Sequence, residues 1–259
     1  MELKEKLKEI EEKLNYHIRP LTFPLAVRFV DEKDIPAGFR RPKRDFGYSI
    51  PLCQAFSMGR RYGWQIAMGK EDHQCTTGAL TTGIVAPKKR LLEGEFRIPP
   101  WEDNAKVRAK LFKLLPKLPY KKGKAILISP LRKANFEPEL IIVYGNPAQV
   151  QVMVEGLHKL WEGRPMICGC NSLVAVTLLN DDHNIALPCP AEHQVAATQD
   201  DEMAYAIPFK KVDEMLKGLD MLHTFGLRFP TTTYLQYQPF YPPSYAESMA
   251  YLCSDEDEP

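Results

Sequence analysis

Cysteine carries most of the chemistry this chain could do. Its six cysteines stand at Cys53, Cys75, Cys168, Cys170, Cys189 and Cys253. Three of them fall in the stretch from Pro165-Met166-Ile167-Cys168-Gly169-Cys170-Asn171 to Leu187-Pro188-Cys189-Pro190-Ala191-Glu192-His193. Each of the three has a glycine or proline beside it that sharpens the backbone, which is how a chain presents sulfur to a ligand. Cys53, in Pro51-Leu52-Cys53-Gln54-Ala55, and Cys75, in His73-Gln74-Cys75-Thr76-Thr77-Gly78, stand at the starts of predicted helices. Unsatisfied amides and the positive dipole end favour thiolate there. Cys253 lies in a polar tail and reads as incidental.

Other reactive groups lie close by. His193 follows Cys189 by four residues and His73 precedes Cys75 by two. Either could replace a sulfur ligand, donate a proton, or form a Cys–His nucleophilic pair, and exposed loop histidines would look the same. Glu71, Asp72 and Glu192 read either as general acids or bases or as ordinary helix-start caps. No Gly-x-Ser-x-Gly elbow, Walker loop, Gly-x-Gly-x-x-Gly or His-Glu-x-x-His motif occurs, so the reactions those motifs serve are set aside.

Composition limits the remaining classes. Lys+Arg 34 against Asp+Glu 33 leaves a formal charge of +1, which implies neither a nucleic acid nor an anionic membrane as partner. A hydrophobic share of 44% is that of a globular protein with a real core. No run approaches the roughly 20 apolar residues of a membrane span, and the first residues lack the apolar core of a secretory signal. The expectation is a cytoplasmic protein, where grouped cysteines bind metal or catalyse more often than they form disulfides.

The elements that must position these residues follow from periodicity. Residues 2–15 predict an amphipathic helix, with Leu3, Leu7, Ile10 and Leu14 on one face. Strands are predicted at 24–30, 63–67, 124–130, 139–144, 183–187 and 202–208, and 171–179 fits helix or strand. Helices are predicted at 52–61, 71–84, 190–197 and in the segment containing Val212, Met215, Leu216, Leu219 and Leu222. Another, capped by Asp103, should bury Val107, Leu111, Leu114, Leu115 and Leu118. Its opposite face carries Lys106, Arg108, Lys110, Lys113 and Lys117, continued by Lys121, Lys122 and Lys124. Asn146 as N-cap and Pro147 at the first helical position begin one more helix after Gly145, with Val150, Val154, Leu157, Leu160 and Trp161 facing the core. Trp64 and Trp161 read as core residues, and the acidic tail Asp255–Pro259 as mobile.

The cysteine spacing contains an echo. Cys53 and Cys75 are 22 positions apart, Cys168 and Cys189 21, and Cys170 and Cys189 19. In each half one cysteine precedes an apolar stretch and another opens a short helix, so a duplication would bring two pairs together around a pseudo-twofold. The expected architecture is α/β (α+β), with mixed sheets flanked by helices. The chain is read as a single compact domain over 1–259, with two pseudo-repeated halves at about 20–123 and 124–230.

The chain also resembles an uncharacterised prokaryotic family of archaea and anaerobic bacteria, domain of unknown function 169. The matching pieces are Pro24-Leu-Ala-Val, Cys53-Gln-Ala, Cys75-Thr-Thr-Gly-Ala-Leu-Thr-Thr-Gly, Ser129-Pro-Leu with Phe136-Glu-Pro-Glu-Leu, Gly145-Asn-Pro-Ala-Gln, Cys170, Cys189-Pro and Asp201-Glu202 before Ile207-Pro208. The resemblance implies cysteines at the positions of Cys53, Cys75, Cys170 and Cys189, with Cys168 and Cys253 as extras. Where the family pattern has Cys-Pro-Gly, this chain has Cys75-Thr-Thr and Cys189-Pro-Ala-Glu-His.

Four thiolates from four separate elements suit a [4Fe–4S] cluster, which tolerates scattered spacing. The expectation is an iron–sulfur metalloprotein with Cys53, Cys75, Cys170 and Cys189 as ligands, Cys168 or His193 as further metal ligands, and a redox or cluster-assisted role in anaerobic metabolism. Zinc on the same thiolates is the first alternative. The second is a metal-free protein that binds an anionic small molecule through the Gly145-Asn146-Pro147 turn and the lysine-rich face. A redox partner and a homo-oligomer are the partners this reading expects.

Overall fold

The computed structural model describes residues 2–96, 104–157, 167–230 and 243–254. Helix α1 (Leu3–His17) lays Leu7, Ile10 and Leu14 on the body. Strand β1 (Leu25–Val30) is followed by a loop whose only helical turns are short, then by α2 (Leu52–Tyr62) and β2 (Ile66–Gly69). Helix α3 (Thr76–Thr81) begins five residues later than its sequence suggests. A 3₁₀ turn at Lys70–Asp72 takes the preceding residues, held by the Asp72 carboxylate accepting from the Gly69 amide at 2.9 Å.

Helices α4 (Lys89–Leu92) and α5 (Ala105–Leu114) pack on each other and correct the predicted apolar stripe. Val107, Leu111 and Leu114 are exposed, whereas Arg108 and Phe112 are buried. The reason is the close approach of α4: a Cβ on Gly94 would lie 2.1 Å from the Ala105 carbonyl, and Arg108 Nε donates to the Gly94 carbonyl at 2.8 Å. The described cap is Asn104, whose side chain accepts from the Lys106 amide. Asp103 lies outside the described residues.

Strands β3 (Ala125–Pro130) and β4 (Leu140–Gly145) are buried along their whole length. Then come α6 (Pro147–Glu155), β5 (Ile167–Cys168), α7 (Cys170–Asn180), β6 (Asn184–Leu187), α8 (Pro190–Ala196), β7 (Met203–Pro208), α9 (Val212–Thr224) and α10 (Pro243–Leu252). Of the predicted helix after Asn146, Leu160 and Trp161 lie outside the described residues, as does the tail 255–259.

All seven strands form one sheet in the order β2-β3-β1-β4-β7-β6-β5, antiparallel throughout except for the β5–β6 pair. Successive residues of a strand face opposite sides, and two apolar clusters result. Ala26, Leu127, Ile141, Val143, Tyr205 and Ile207 pack beneath α1, α6 and α9. Leu25, Val27, Ile126, Ile128, Leu140, Ile142 and Ala206 pack beneath α2 and α7. The architecture is helix–sheet–helix in three layers, an α/β fold.

The sheet has an approximate twofold relation. Strands β1, β2 and β3 lie in the order β2-β3-β1, and β6-β7-β4 repeats that order on the other side. Leu25 lies opposite Pro130 as Leu140 lies opposite Pro208. The central register pairs Leu25 with Ile142 and Val27 with Leu140, symmetrically about Ala26 and Ile141. After β3 the Leu131 amide donates to the Pro24 carbonyl at 2.8 Å, and after β7 the Phe209 amide donates to the Glu139 carbonyl at 3.0 Å. By this relation β3 groups with β1 and β2, and β4 with β6 and β7. Strand β3 is apolar on both faces and reads from sequence as the start of a new unit, but its hydrogen-bond partners are β1 and β2.

Candidate functional site

Each repeat contributes the same sequence of parts on one face of the sheet: a long helix with cysteine in its first turn, a strand, and a short helix capped by cysteine. In the first repeat these are Cys53 on α2 and Cys75 at the N-cap of α3. In the second they are Cys170, which opens α7, and Cys189 at the N-cap of α8. All four line a single cavity of about 730 Å³.

Local geometry explains the convergence. Gly169 has φ of +86°, a conformation L side chains rarely adopt, and it turns β5 abruptly into α7. A Cβ there would also stand 2.7 Å from Asn171 Oδ1 and 3.6 Å from Cys189 Cβ, so the turn lies directly against the second cysteine. Gly78 does the same in the first repeat, where an added Cβ would meet Cys75 Sγ and Leu52 Cβ, each at 3.6 Å. Cys75 Sγ accepts from the Gly78 amide at 3.4 Å and lies 3.1 Å from Thr77 Oγ1.

Cys53 and Cys170 are buried at 6% and 3% exposure. Cys75 and Cys189 are half-buried. The four sulfurs around the cavity wall are thus two buried inner thiols and two half-buried outer ones. Among the described residues, no three His, Cys, Asp or Glu side chains are gathered tightly enough to hold one metal ion as they stand. Lining one cavity is the looser condition, and the four cysteines meet it.

Glu192 ties the second-repeat cysteines together. Its side chain is fully buried, and Oε2 accepts from the Cys189 amide at 2.9 Å and the Cys170 amide at 3.2 Å. Oε1 accepts from the Tyr144 hydroxyl at 3.2 Å. The Tyr144 ring lies under the Arg60 guanidinium at 4.0 Å, and Arg60, itself buried, forks onto Glu202 at 2.6 and 2.9 Å.

Burial and this carboxylate raise the thiols on that side. Burial, the Cys53 thiol and Glu192 together hold the Cys170 thiol well above its ordinary range. Burial and Glu192 push Cys189 up to about 12, against the opposing pull of the Glu192 and Ala191 amides. At these two helix starts desolvation and a neighbouring carboxylate outweigh a few amide dipoles. Tyr144 rises for the same reasons, burial first and Glu192 next.

The other candidates stand elsewhere. His193 is not among the cavity-lining residues; its Nδ1 lies 3.0 Å from the Thr198 carbonyl and 3.7 Å from Asp200. His73 also lies off the cavity wall, with both ring nitrogens shielded and unpartnered among the described residues, and burial lowers its pKa to about 4. Asp72 is structural, accepting from Arg41 Nε at 2.8 Å and the Lys43 amide at 2.9 Å. Glu71 is exposed, and its carbonyl accepts from Ser49. The Cys168 backbone pairs with Leu187 in β5, and its side chain lies outside the described set. Cys253 is exposed beyond α10. Trp64 is half-buried, packs against the edge of the core and stacks beneath Arg40 at 4.1 Å.

Of the features expected to hold an anionic ligand, the turn and part of the basic segment are engaged in the fold. The Asn146 side chain accepts from the Gln149 amide at 3.0 Å, and Gln149 Nε2 donates to the Ile18 and Arg19 carbonyls. The turn leads α6 onto the face opposite the cysteines, where Val150 and Met153 join the α1 and α9 cluster. On the basic segment, Lys117 Nζ donates to the Phe112 and Leu115 carbonyls at 2.7 and 2.6 Å, and Lys122 pairs with Glu139 at 2.7 Å.

Fold and site together define a two-unit α/β protein built around a four-cysteine cavity. Residues 13–218 match the DUF169 family, described as uncharacterised ArCR, and the chain belongs to that family. No curated protein and no solved structure matches the chain. No helix among the described residues is long and apolar enough to cross a membrane.

Proposed function

We propose that this protein is a cytoplasmic iron–sulfur protein that holds a [4Fe–4S] cluster on Cys53, Cys75, Cys170 and Cys189. The observation that carries this reading is that four cysteines from four helix starts, two per repeat, open onto one cavity. Two further features support it. A thiolate-bound cluster bears net negative charge, and the 11-residue helices α2 and α7 direct their amino ends at the cavity without a basic side chain among its described lining residues. The inner sulfurs are shielded from water, which protects a cluster from hydrolysis and oxidation.

Bound on four thiolates, the cluster would supply one-electron transfer; a Lewis-acidic iron would require one of the four ligand positions to be left open. The chain's own residues shape the site: Gly169 and Glu192 fix the two cysteine-bearing turns of the second repeat, while Gly78 seats Cys75 against α2. A redox role in oxygen-poor metabolism, with a separate electron-transfer partner, is the function this implies.

The test is iron, zinc and acid-labile sulfide per chain in protein purified without oxygen, with an absorption spectrum alongside. The expected result is about four irons and four sulfides, lost in Cys170→Ser and Cys189→Ser and retained in Cys253→Ser. Stoichiometric zinc without sulfide would replace the cluster by a structural metal. No metal after anaerobic reconstitution with iron and sulfide would overturn the reading.

A further inference from the structure

The cavity is larger than its sulfur floor requires. Its volume of about 730 Å³ lies within the range of sites that enclose small organic molecules, about 300–1,000 Å³. Besides the cysteines, its wall carries polar side chains. Gln74 precedes Cys75, Asn171 follows Cys170, and Gln194 lies on α8, so three carboxamides, two exposed and that of Asn171 half-buried, border the same space as Thr76 and the apolar Pro51 and Val195. None of these three carboxamides makes a hydrogen bond with another described residue, in contrast to Asn146, Gln149 and Asn184, which are all engaged.

Charge selects what could enter. Among the described lining residues there is no lysine, arginine or histidine to neutralise an anion, and no carboxylate or aromatic ring to hold a cation; on the iron–sulfur reading the positive amino ends of α2 and α7 are taken up by the cluster itself. An anion would also be repelled by metal-bound thiolates, and by the Glu192 carboxylate behind Cys170 and Cys189. Carboxamides both donate and accept, and they are matched by groups that do the same without charge.

We propose that the mouth of the cavity binds a small uncharged molecule bearing a carboxamide-like group, held by Asn171, Gln194 and Gln74 next to the sulfur-bound metal. The charge selection rests on the iron–sulfur reading; the hydrogen-bonding wall does not. Gln74 precedes Cys75 and Gln194 lies on the helix that Cys189 caps, so a ligand held there would meet the accessible side of whatever these two half-buried thiols hold.

The test uses benzamide and benzoate, which share a shape and differ in charge. Their binding is measured by saturation-transfer NMR on anaerobic protein, with iron and sulfide content read on the same samples. Benzamide should bind and benzoate should not. Gln194→Leu and Asn171→Leu, each at a site without a described partner, should each weaken benzamide about fivefold, the effect of one net hydrogen bond. Iron content should be unchanged in both variants. Benzoate binding as tightly as benzamide, or benzamide binding unaltered in both variants, would overturn the proposal whether or not iron is present. Absence of iron with benzamide binding lost in the variants would sink the cluster and leave the neutral-ligand site standing.

Discussion

Replacing Glu192 separates its two roles, as a tie between cysteine turns and as a charge beside their sulfurs. Glu192→Ala removes the acceptor for three donors, the buried Cys170 amide and Tyr144 hydroxyl and the part-buried Cys189 amide. At about 1 kcal/mol or more for each such group left unpaired, the loss is at least about 3 kcal/mol. That is a large share of the roughly 5–15 kcal/mol typical of a folded domain. Glu192→Gln keeps an oxygen for the two amides, and its new amino group can donate to the Tyr144 hydroxyl. Its stability should fall by only about 1 kcal/mol.

The charge effect appears in the thiols. Glu192 is among the causes that raise both Cys170 and Cys189, and Cys189 stands at about 12. Thiolate, not thiol, reacts with alkylating agents, and each unit by which the pKa falls raises the thiolate fraction about tenfold at pH 8. The assay is denaturant unfolding for stability, and iodoacetamide labelling against pH with peptide mapping of Cys189 on metal-free anaerobic protein. The expected outcome is a strongly destabilised Ala variant and a near-wild-type Gln variant whose Cys189 labels several-fold faster. An Ala variant as stable as the parent would refute the tie, and a Gln variant that labels no faster would refute the charge.

The remaining predictions concern other buried charge. His73 titrates at about 4 instead of its ordinary 6.5 because burial disfavours the imidazolium. The stability it contributes is complete above pH 6.5 and is lost as pH falls towards 4, by up to about 3 kcal/mol; unfolding midpoints of the parent and His73→Phe should converge over that window. Arg60→Met leaves Glu202 without its buried fork and should cost about 3–5 kcal/mol, part of which returns in Arg60→Met/Glu202→Met; equal destabilisation in single and double variants would count against the pair. Above pH 9 the raised Cys189 thiol works the other way, and the stability present below the ordinary thiol pKa of 9.0 should decline as pH rises towards 12. Cys189→Ser should remove that decline in pH-dependent melts.

Much of the scaffold was legible because its signals are local. The strands at 25–30, 125–130, 140–145 and 203–208 are short apolar runs, and Asn146-Pro147 and Cys189-Pro190 announce helix starts by their chemistry. Val212, Met215, Leu216, Leu219 and Leu222 have helical spacing, and all are buried in α9. Segment 170–180 was ambiguous because it is apolar on every side; its burial between the sheet and its neighbours, rather than any periodicity, made it α7. The apolar positions of α5 misled because Gly94 lets α4 approach so closely that Arg108 and Phe112 take the inner face.

From sequence alone came the cysteines, their place at helix starts and the suspicion of a repeat, since residue type, glycine and proline are properties of short stretches. The tertiary structure decided which strands group together, because strand pairing across β3, β1 and β2 depends on residues up to about a hundred positions apart. It also decided that Cys53, Cys75, Cys170 and Cys189 share one cavity while His193 and His73 do not line it. Glu192 marks the division: its place three residues after Cys189 identifies a helix-start carboxylate, but its grip on Cys170 exists only because β5 and β6 pair and bring two loops side by side.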